Sequence, residues 1–235
     1  MERNSDKRTI VTTVAACILV AIVFYGVIAV SNQQGWLVLS LGQITWSNAG
    51  IQFAIHALAL LVPPVVFLLL NRTKPSKAGF TGRNKGVSIG LGILYLLLFF
   101  LAGDFSAGGV YYWLHILINI GLAEELMYRG FAYSRLKQVN PWLALLVSGF
   151  FWGAGHAIYA GVIAGRSVPQ ILVTTVVGGA DVSVTALGGI LAGIGFAALY
   201  EWSGTLFVPI LLHAILDYSG HSRKPDGSDL RQRWL

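Results

Sequence analysis

The sequence predicts an all-α bundle of transmembrane helices with about eight spans, and three observations predict it. Only 11% of the 235 residues are Asp, Glu, Lys or Arg, against roughly 25% in a soluble domain, while 55% are hydrophobic. The charges are unevenly spread, with none between Arg8 and Arg72 or between Lys137 and Arg166. Long apolar runs also recur at the length of about 20 residues that a spanning helix needs. Seven or eight spans would use roughly 140 to 170 residues, which leaves no room for a separate soluble domain. That excludes a nucleotide-binding cassette, an extramembrane catalytic domain and a nucleic-acid reader, despite a net charge of +6. The basic excess is expected in loops that face a membrane surface and its lipid.

The first span is expected over 9–30. It superficially resembles a signal peptide ending near Ser31, but its apolar part is longer than the roughly 7 to 15 residues of a signal core, so it reads as a retained helix. The single cysteine, Cys17, lies within it and excludes an intrachain disulfide. Further spans are expected over 50–70, 86–103, 109–135, 141–163, 183–202 and 205–220. The short segment 168–180 reads either as a weak span or as a re-entrant hairpin buried in protein. Basic residues cluster before the first span (Arg3, Lys7, Arg8), between the second and third (Arg72, Lys74, Lys77, Arg83, Lys85), after the fourth (Arg135, Lys137) and at the C-terminus (Arg223, Lys224, Arg231, Arg233). Segments 31–49 and 104–109 contain no Lys or Arg. The positive-inside rule therefore places both termini in the cytoplasm and calls for an even number of spans. The polar stretch around 75–85 is the longest linker and divides residues 1–85, an N-terminal helix pair with its loop, from a core over 86–222 and a cytoplasmic tail over 223–235. Gly188, Gly189, Gly193 and Gly195 are expected to let helices approach closely.

An ionisable residue near the centre of a spanning helix costs about 2.5 to 3.5 kcal/mol on insertion scales, so each one is a candidate functional group. Two of the four glutamates in the chain, Glu124 and Glu125, stand side by side in the fourth apolar run, followed by Arg129. Glu125 and Arg129 are four residues apart, glutamate first, the favoured order for a helical ion pair. Glu124 is rotated about 100° from Glu125, so it faces something else. In the fifth span Trp152 and His156 share a helix face with two glycines between them. In the last, His213 and Asp217 share a face, and Pro209, four residues before His213, is expected to kink the span. His56 and His115 have no evident partner at helical spacing and read as structural or interfacial. Glu201 and Asp181 read as loop or interface residues.

Two histidines, a surplus carboxylate and an aspartate from three helices can converge as a hydrolytic site. A carboxylate withdrawn from bulk water is suited to take a proton from a water molecule near neutral pH, while histidines relay that proton or stabilise an oxyanion. The set Glu124, His156 and His213 could alternatively hold zinc and activate water on it. No His-Glu-x-x-His pair is present, so these ligands would come from separate helices. No Gly-x-Ser-x-Gly element supports a serine nucleophile.

Together the three pieces resemble the CAAX protease and bacteriocin-processing family of intramembrane proteases, whose pattern is Glu-Glu-x-x-x-Arg, then Phe-x-x-x-His, then His-x-x-x-Asn or Asp. Here these read Glu124-Glu125 to Arg129, Trp152 to His156, and His213 to Asp217. The resemblance covers roughly residues 115–220. Trp152 replaces the usual Phe, and Asp217 stands where prenyl-protein proteases more often carry Asn. The resemblance implies that Glu124 activates water together with His156. It implies that His213 and Asp217 stabilise the oxyanion and that Glu125 and Arg129 support the helix. Both a metal-dependent and a metal-free mechanism are attributed to the family. It further implies a catalytic core over 86–222, an integral protein of a bacterial cytoplasmic membrane opening onto the cytoplasmic half of the bilayer, and a membrane-associated peptide or protein-tail substrate, prenylated or not. The alternatives are a non-catalytic scaffold or bacteriocin-immunity protein of the same fold and, below it, a proton-coupled transporter, for which no inverted repeat is visible.

Overall fold

In the computed structural model the described residues are 2–177 and 186–221. Asp181, the end of the 168–180 segment, the first residues of the expected 183–202 span and the tail with Arg223, Lys224, Arg231 and Arg233 lie outside them. The described residues form helices and no strand: α1 (Glu2–Gln33), α2 (Ala49–Leu70), α3 (Lys85–Ala102), α4 (107–136), α5 (Pro141–Ile163), α6 (Val168–Val177), α7 (Ala186–Ser203) and α8 (Phe207–His221). Four of them, α2, α3, α5 and the part of α1 from Ser5 onward, are long and apolar enough to cross a membrane. Helix α4 is longer than each of these stretches but carries Glu124, Glu125, Arg129 and Arg135. The outer faces are apolar as well, with Leu70 74%, Leu101 82% and Trp142 73% exposed. Such surfaces suit lipid contact, in which only fully hydrogen-bonded elements such as these helices are viable.

Local chemistry sets the helix ends. Gly103, at φ 68°, closes α3. Ser106 caps α4, its hydroxyl accepting the Gly109 N–H at 3.2 Å. Asn140 does the same for α5, accepting the Leu143 N–H at 3.0 Å, with Pro141 at the first helical position where its missing N–H costs nothing. Helix α8 begins at Phe207, so Pro209 falls in its first turn. The expected kink before His213 is therefore absent, because a first-turn residue has no intrahelical acceptor for its N–H to lose. The ladder of α4 loosens to π-helical spacing over His115–Leu122 and Leu126–Tyr133, which bracket the α-turn Ala123–Glu125. Such π segments often mark functional sites.

Helices α5 and α7 touch through their backbones. A Cβ on Gly149 would lie 2.5 Å from Ile190 Cα, and one on Gly189 would lie 2.5 Å from Gly153 N. Gly193 approaches Gly149 in the same way, whereas Gly195 has nothing within 4 Å. The polar stretch after α2 is not a loose linker, since it docks on the α7–α8 turn. Leu206 N–H donates to Gly79 O at 2.8 Å, Thr81 Oγ1 donates to Gly204 O at 2.6 Å, and Asn84 Nδ2 donates to Ser203 O at 2.9 Å. Helix α4 runs through the interior, packed against α8 through Ile116, Ile120 and Ala214.

Gly189→Val is expected to destabilise the bundle by about 1 to 3 kcal/mol through overpacking against α5. Gly195→Val, on the same helix, should leave it unchanged. Thermal unfolding of the two variants in detergent checks this contrast.

Candidate active site

The polar side chains of α4, α5 and α8 form two connected groups. In the first, Glu125 and Arg129 are both fully buried, and Arg129 Nη1 donates to Glu125 Oε1 at 3.1 Å. The π-helical stretch that contains Arg129 still permits this four-residue pairing. Glu125 also reaches across to α8, where His213 Nδ1 lies 3.1 Å from the same Oε1. The other imidazole nitrogen, Nε2, faces two more carboxylates, Asp217 Oδ2 at 3.5 Å and Glu124 Oε2 at 3.9 Å. Phe196 of α7 completes the stack, its ring 5.1 Å from the Arg129 guanidinium carbon and 5.0 Å from the His213 ring.

The second group surrounds a cavity of about 50 Å³ between α1, α2, α4 and α5, against the roughly 10–15 Å³ that a single water needs. Glu124 and His156 both line it, whereas Glu125, Arg129, His213 and Asp217 do not. His156 Nδ1 lies 3.0 Å from the carbonyl oxygen of Trp152. Only an Nδ1–H can bond to that oxygen, so Nε2 is the basic nitrogen. Trp152 separates the two histidines, with ring centroids 4.2 Å from His156 and 6.1 Å from His213. Glu124 stands at the junction, 9% exposed, one side toward the cavity and the other toward His213.

Residues 106–219 match the family model described as type II CAAX prenyl endopeptidase Rce1-like. Through this segment, just under half of its length, the chain is similar to that family. No curated protein and no solved structure matches the chain. Its apolar helices and this family make it an integral membrane protein. The matched segment contains every residue of the three sequence motifs and begins after α1 and α2, which supply Val20, Phe24 and His56 to the cavity wall.

The structure departs from the sequence reading at several points. His56 and His115 are not isolated. Their rings meet edge to face at 4.6 Å, and both line the cavity that holds Glu124. His56 Nδ1 lies 2.9 Å from Gln52 O, and His115 Nδ1 lies 3.2 Å from Asn119 Nδ2. Asn119, four residues after His115, was the available signal, and it is easy to pass over because Asn is uncharged. The cavity extends from Glu124 toward Val38 and Leu41, on the side of the charge-free segments, and not toward the basic end of α4 where an opening was expected. Glu201 lies in α7 and pairs with Lys137 at 2.5 Å, an exposed contact between helix ends. Among the described residues no three His, Cys, Asp or Glu side chains are grouped to hold a metal ion. Glu124, His156 and His213 thus do not fit the zinc set considered from sequence, since His213 directs its nitrogens at carboxylates and lies outside the cavity that His156 lines.

Removing one partner of the buried pair strands the other charge. Arg129→Leu should cost about 3 to 5 kcal/mol of stability, and adding Glu125→Leu should restore part of it. Denaturation of both variants in detergent checks the sign of the recovery.

Proposed function

We propose that the chain is an intramembrane endopeptidase that hydrolyses peptide bonds in membrane-associated peptides or protein tails, prenylated ones included, with water activated by Glu124 and His156. The observation that carries this reading is that these two side chains, from different helices, line one water-sized cavity while His213 stands directly behind Glu124. The similarity of residues 106–219 to a CAAX prenyl endopeptidase family supports the reaction class.

In this mechanism a water in the cavity gives a proton to Glu124 as its oxygen bonds to the scissile carbonyl carbon. His156 Nε2 accepts a hydrogen bond from the same water and orients it. The oxyanion forms in the cavity beside Glu124 and His156, while His213, which Glu125 and Asp217 hold in place outside it, positions Glu124 from behind. Collapse of the tetrahedral intermediate breaks the C–N bond, and the proton on Glu124 passes to the leaving amine. Each proton-transfer group of this kind contributes about 10² to 10⁴ in rate, and fixed donors in a water-poor site strengthen the oxyanion contact. Glu125 and Arg129 act as positioning residues. No step is routed through a metal.

The basic segments support placing both termini on the cytoplasmic side. The cavity then reaches from Glu124 into the opposite half of the bilayer. Residues 86–222 would form the catalytic core and α1 and α2 its facing wall.

Purified protein in detergent should cleave an S-farnesylated peptide, with Glu124→Gln and His156→Ala each lowering kcat/KM at least about 100-fold while leaving thermal stability near wild type. Cleavage by both variants at the wild-type rate would overturn the mechanism. Complementation of a deletion phenotype by Glu124→Gln would favour a scaffold over an enzyme.

A further inference from the structure

Where α2 ends, the surface changes from apolar to basic. Leu69 and Leu70 are 70% and 74% exposed, as suits lipid contact, and Asn71 and Arg72 follow them directly. The chain leaves the helix through a left-handed residue. Arg72, at φ 48°, donates its N–H to Leu69 O at 2.9 Å, and Thr73 donates to Leu68 O at 2.8 Å. Glycine takes this position at least steric cost. An arginine there with an exposed side chain gains no packing in return, which leaves its charge as the property to explain. The turn sets the basic segment against the last turns of α4, with a pocket of about 260 Å³ between them.

The lining of this pocket has one sign of charge. Arg72, Lys77 and Arg135 supply three cations, Thr73, Ser134 and Gln138 supply neutral hydrogen-bonding groups, and no Asp or Glu lines it. Arg135 is held by neutral oxygens alone. Its Nη1 donates to Asn71 Oδ1 at 3.0 Å, its Nε to Thr13 Oγ1 at 3.3 Å and its Nη2 to Thr12 Oγ1 at 3.4 Å. These bonds use only part of a guanidinium fork of five N–H donors. Among the described residues no carboxylate pairs with Arg72, Lys77 or Arg135. Beneath the cations the floor is apolar. Phe131 lies 5.2 Å from the Arg135 guanidinium carbon and stacks on Phe67 at 5.6 Å.

We propose that this pocket binds the headgroup of an anionic phospholipid, with its phosphodiester among Arg72, Lys77 and Arg135 and its acyl chains along Leu68 and the exposed leucines of α2. Three like charges around one pocket repel one another, and an anion between them turns that repulsion into attraction. Arginine N–H groups match phosphate oxygens in geometry as well as charge. The level of the site and its floor favour a lipid over a soluble phosphate, since the pocket opens where the lipid-facing surface of α2 stops and is floored by Leu68 and Phe131. A zwitterionic headgroup brings its own cation, which the three basic groups repel, so the site selects net negative charge. The basic side is the expected cytoplasmic one, whose leaflet carries anionic lipid. Through Arg135 the pocket joins α1 at Thr12 and Thr13, the end of α2 at Asn71, and α4. A bound headgroup therefore fastens the α1–α2 wall to α4 and stabilises the bundle. The pocket shares no lining residue with the cavity at Glu124, so the site stands whether or not the chain is a protease.

The test uses the full-length protein in dodecyl maltoside, unfolded by heat with palmitoyl-oleoyl phosphatidylglycerol, with the phosphatidylcholine of the same acyl chains, or with inorganic phosphate. Phosphatidylglycerol should raise the unfolding temperature by about 3 °C or more over phosphatidylcholine, and inorganic phosphate should leave it unchanged. Arg72→Gln/Lys77→Gln should remove that difference while unfolding near the wild-type temperature in phosphatidylcholine, because both side chains are exposed. Lys74→Gln/Lys85→Gln takes the same charge from the same segment outside the pocket and should keep the difference. Native mass spectrometry should find one phosphatidylglycerol retained per chain by the wild type and by this control, and none by Arg72→Gln/Lys77→Gln. An equal shift from the two lipids would overturn the inference. So would an equal loss in the two double variants, which would indicate diffuse attraction of the surface, or an equal shift from inorganic phosphate, which would indicate a site for a free anion.

Discussion

One carboxylate oxygen holds the polar interior together. Glu125 Oε1 receives Arg129 from its own helix and faces His213 from α8, and all three side chains are buried. A lone buried Glu or Arg would carry a desolvation penalty of several kcal/mol, and the pair offsets it only because the geometry is close and a third group shares the charge. The arrangement is not fully satisfied, since Glu125 Oε2 and the Nε and Nη2 atoms of Arg129 have no hydrogen-bond partner among the described residues. Interaction energy is therefore concentrated at a single contact. That contact fixes the height of α8 against α4, and with it the position of His213 behind Glu124.

The π-helical stretches on either side of Glu124 and Glu125 belong to the same constraint. Spacing wider than 3.6 residues per turn lets α4 direct side chains to more sectors of the bundle than a uniform α-helix of that length would. Glu125 and Arg129 turn toward α7 and α8, Glu124 and Tyr128 toward the cavity, and His115 toward α2. Close α5–α7 packing through Gly149, Gly153, Gly189 and Gly193 then brings His156 inward on a helix that has little freedom to retreat.

Helix positions were legible because the membrane imposes a length and removes charge. The expected 141–163 span coincides with α5, and the others lie within a few residues apart from α1, which starts earlier because the charged segment Glu2–Arg8 continues the helix. The motif residues stood out by their scarcity in apolar runs. Less visible was anything that depends on contacts between distant segments made by uncharged groups. Asn119 and Gln52 arouse no suspicion by charge, yet they orient His115 and His56. Likewise the 75–85 stretch looks like a flexible linker by composition, and only the turn at Gly204 reveals what its carbonyls and hydroxyls bind. Pro209 was misread because the start of α8 was unknown, and a proline bends a helix only when it lies past the first turn.

The division of the cavity between matched and unmatched segments has a physical consequence. Glu124 and His156 lie within the segment shared with the family, while Val20, Phe24 and His56 come from helices that precede it. Reactive groups alone, open to water or to lipid tails, would lose either the low-dielectric enclosure that strengthens an oxyanion contact or the water itself. Enclosure therefore has to come from α1 and α2, and whatever side chains they present also meet the substrate. Chemistry and selectivity are thereby carried by different helices. Changes in α1 and α2 can reshape the far wall and exchange its polar partners without moving Glu124, because α4 is anchored on the opposite side by Glu125, Arg129 and His213. A fold arranged in this way can vary its substrate while keeping one reaction.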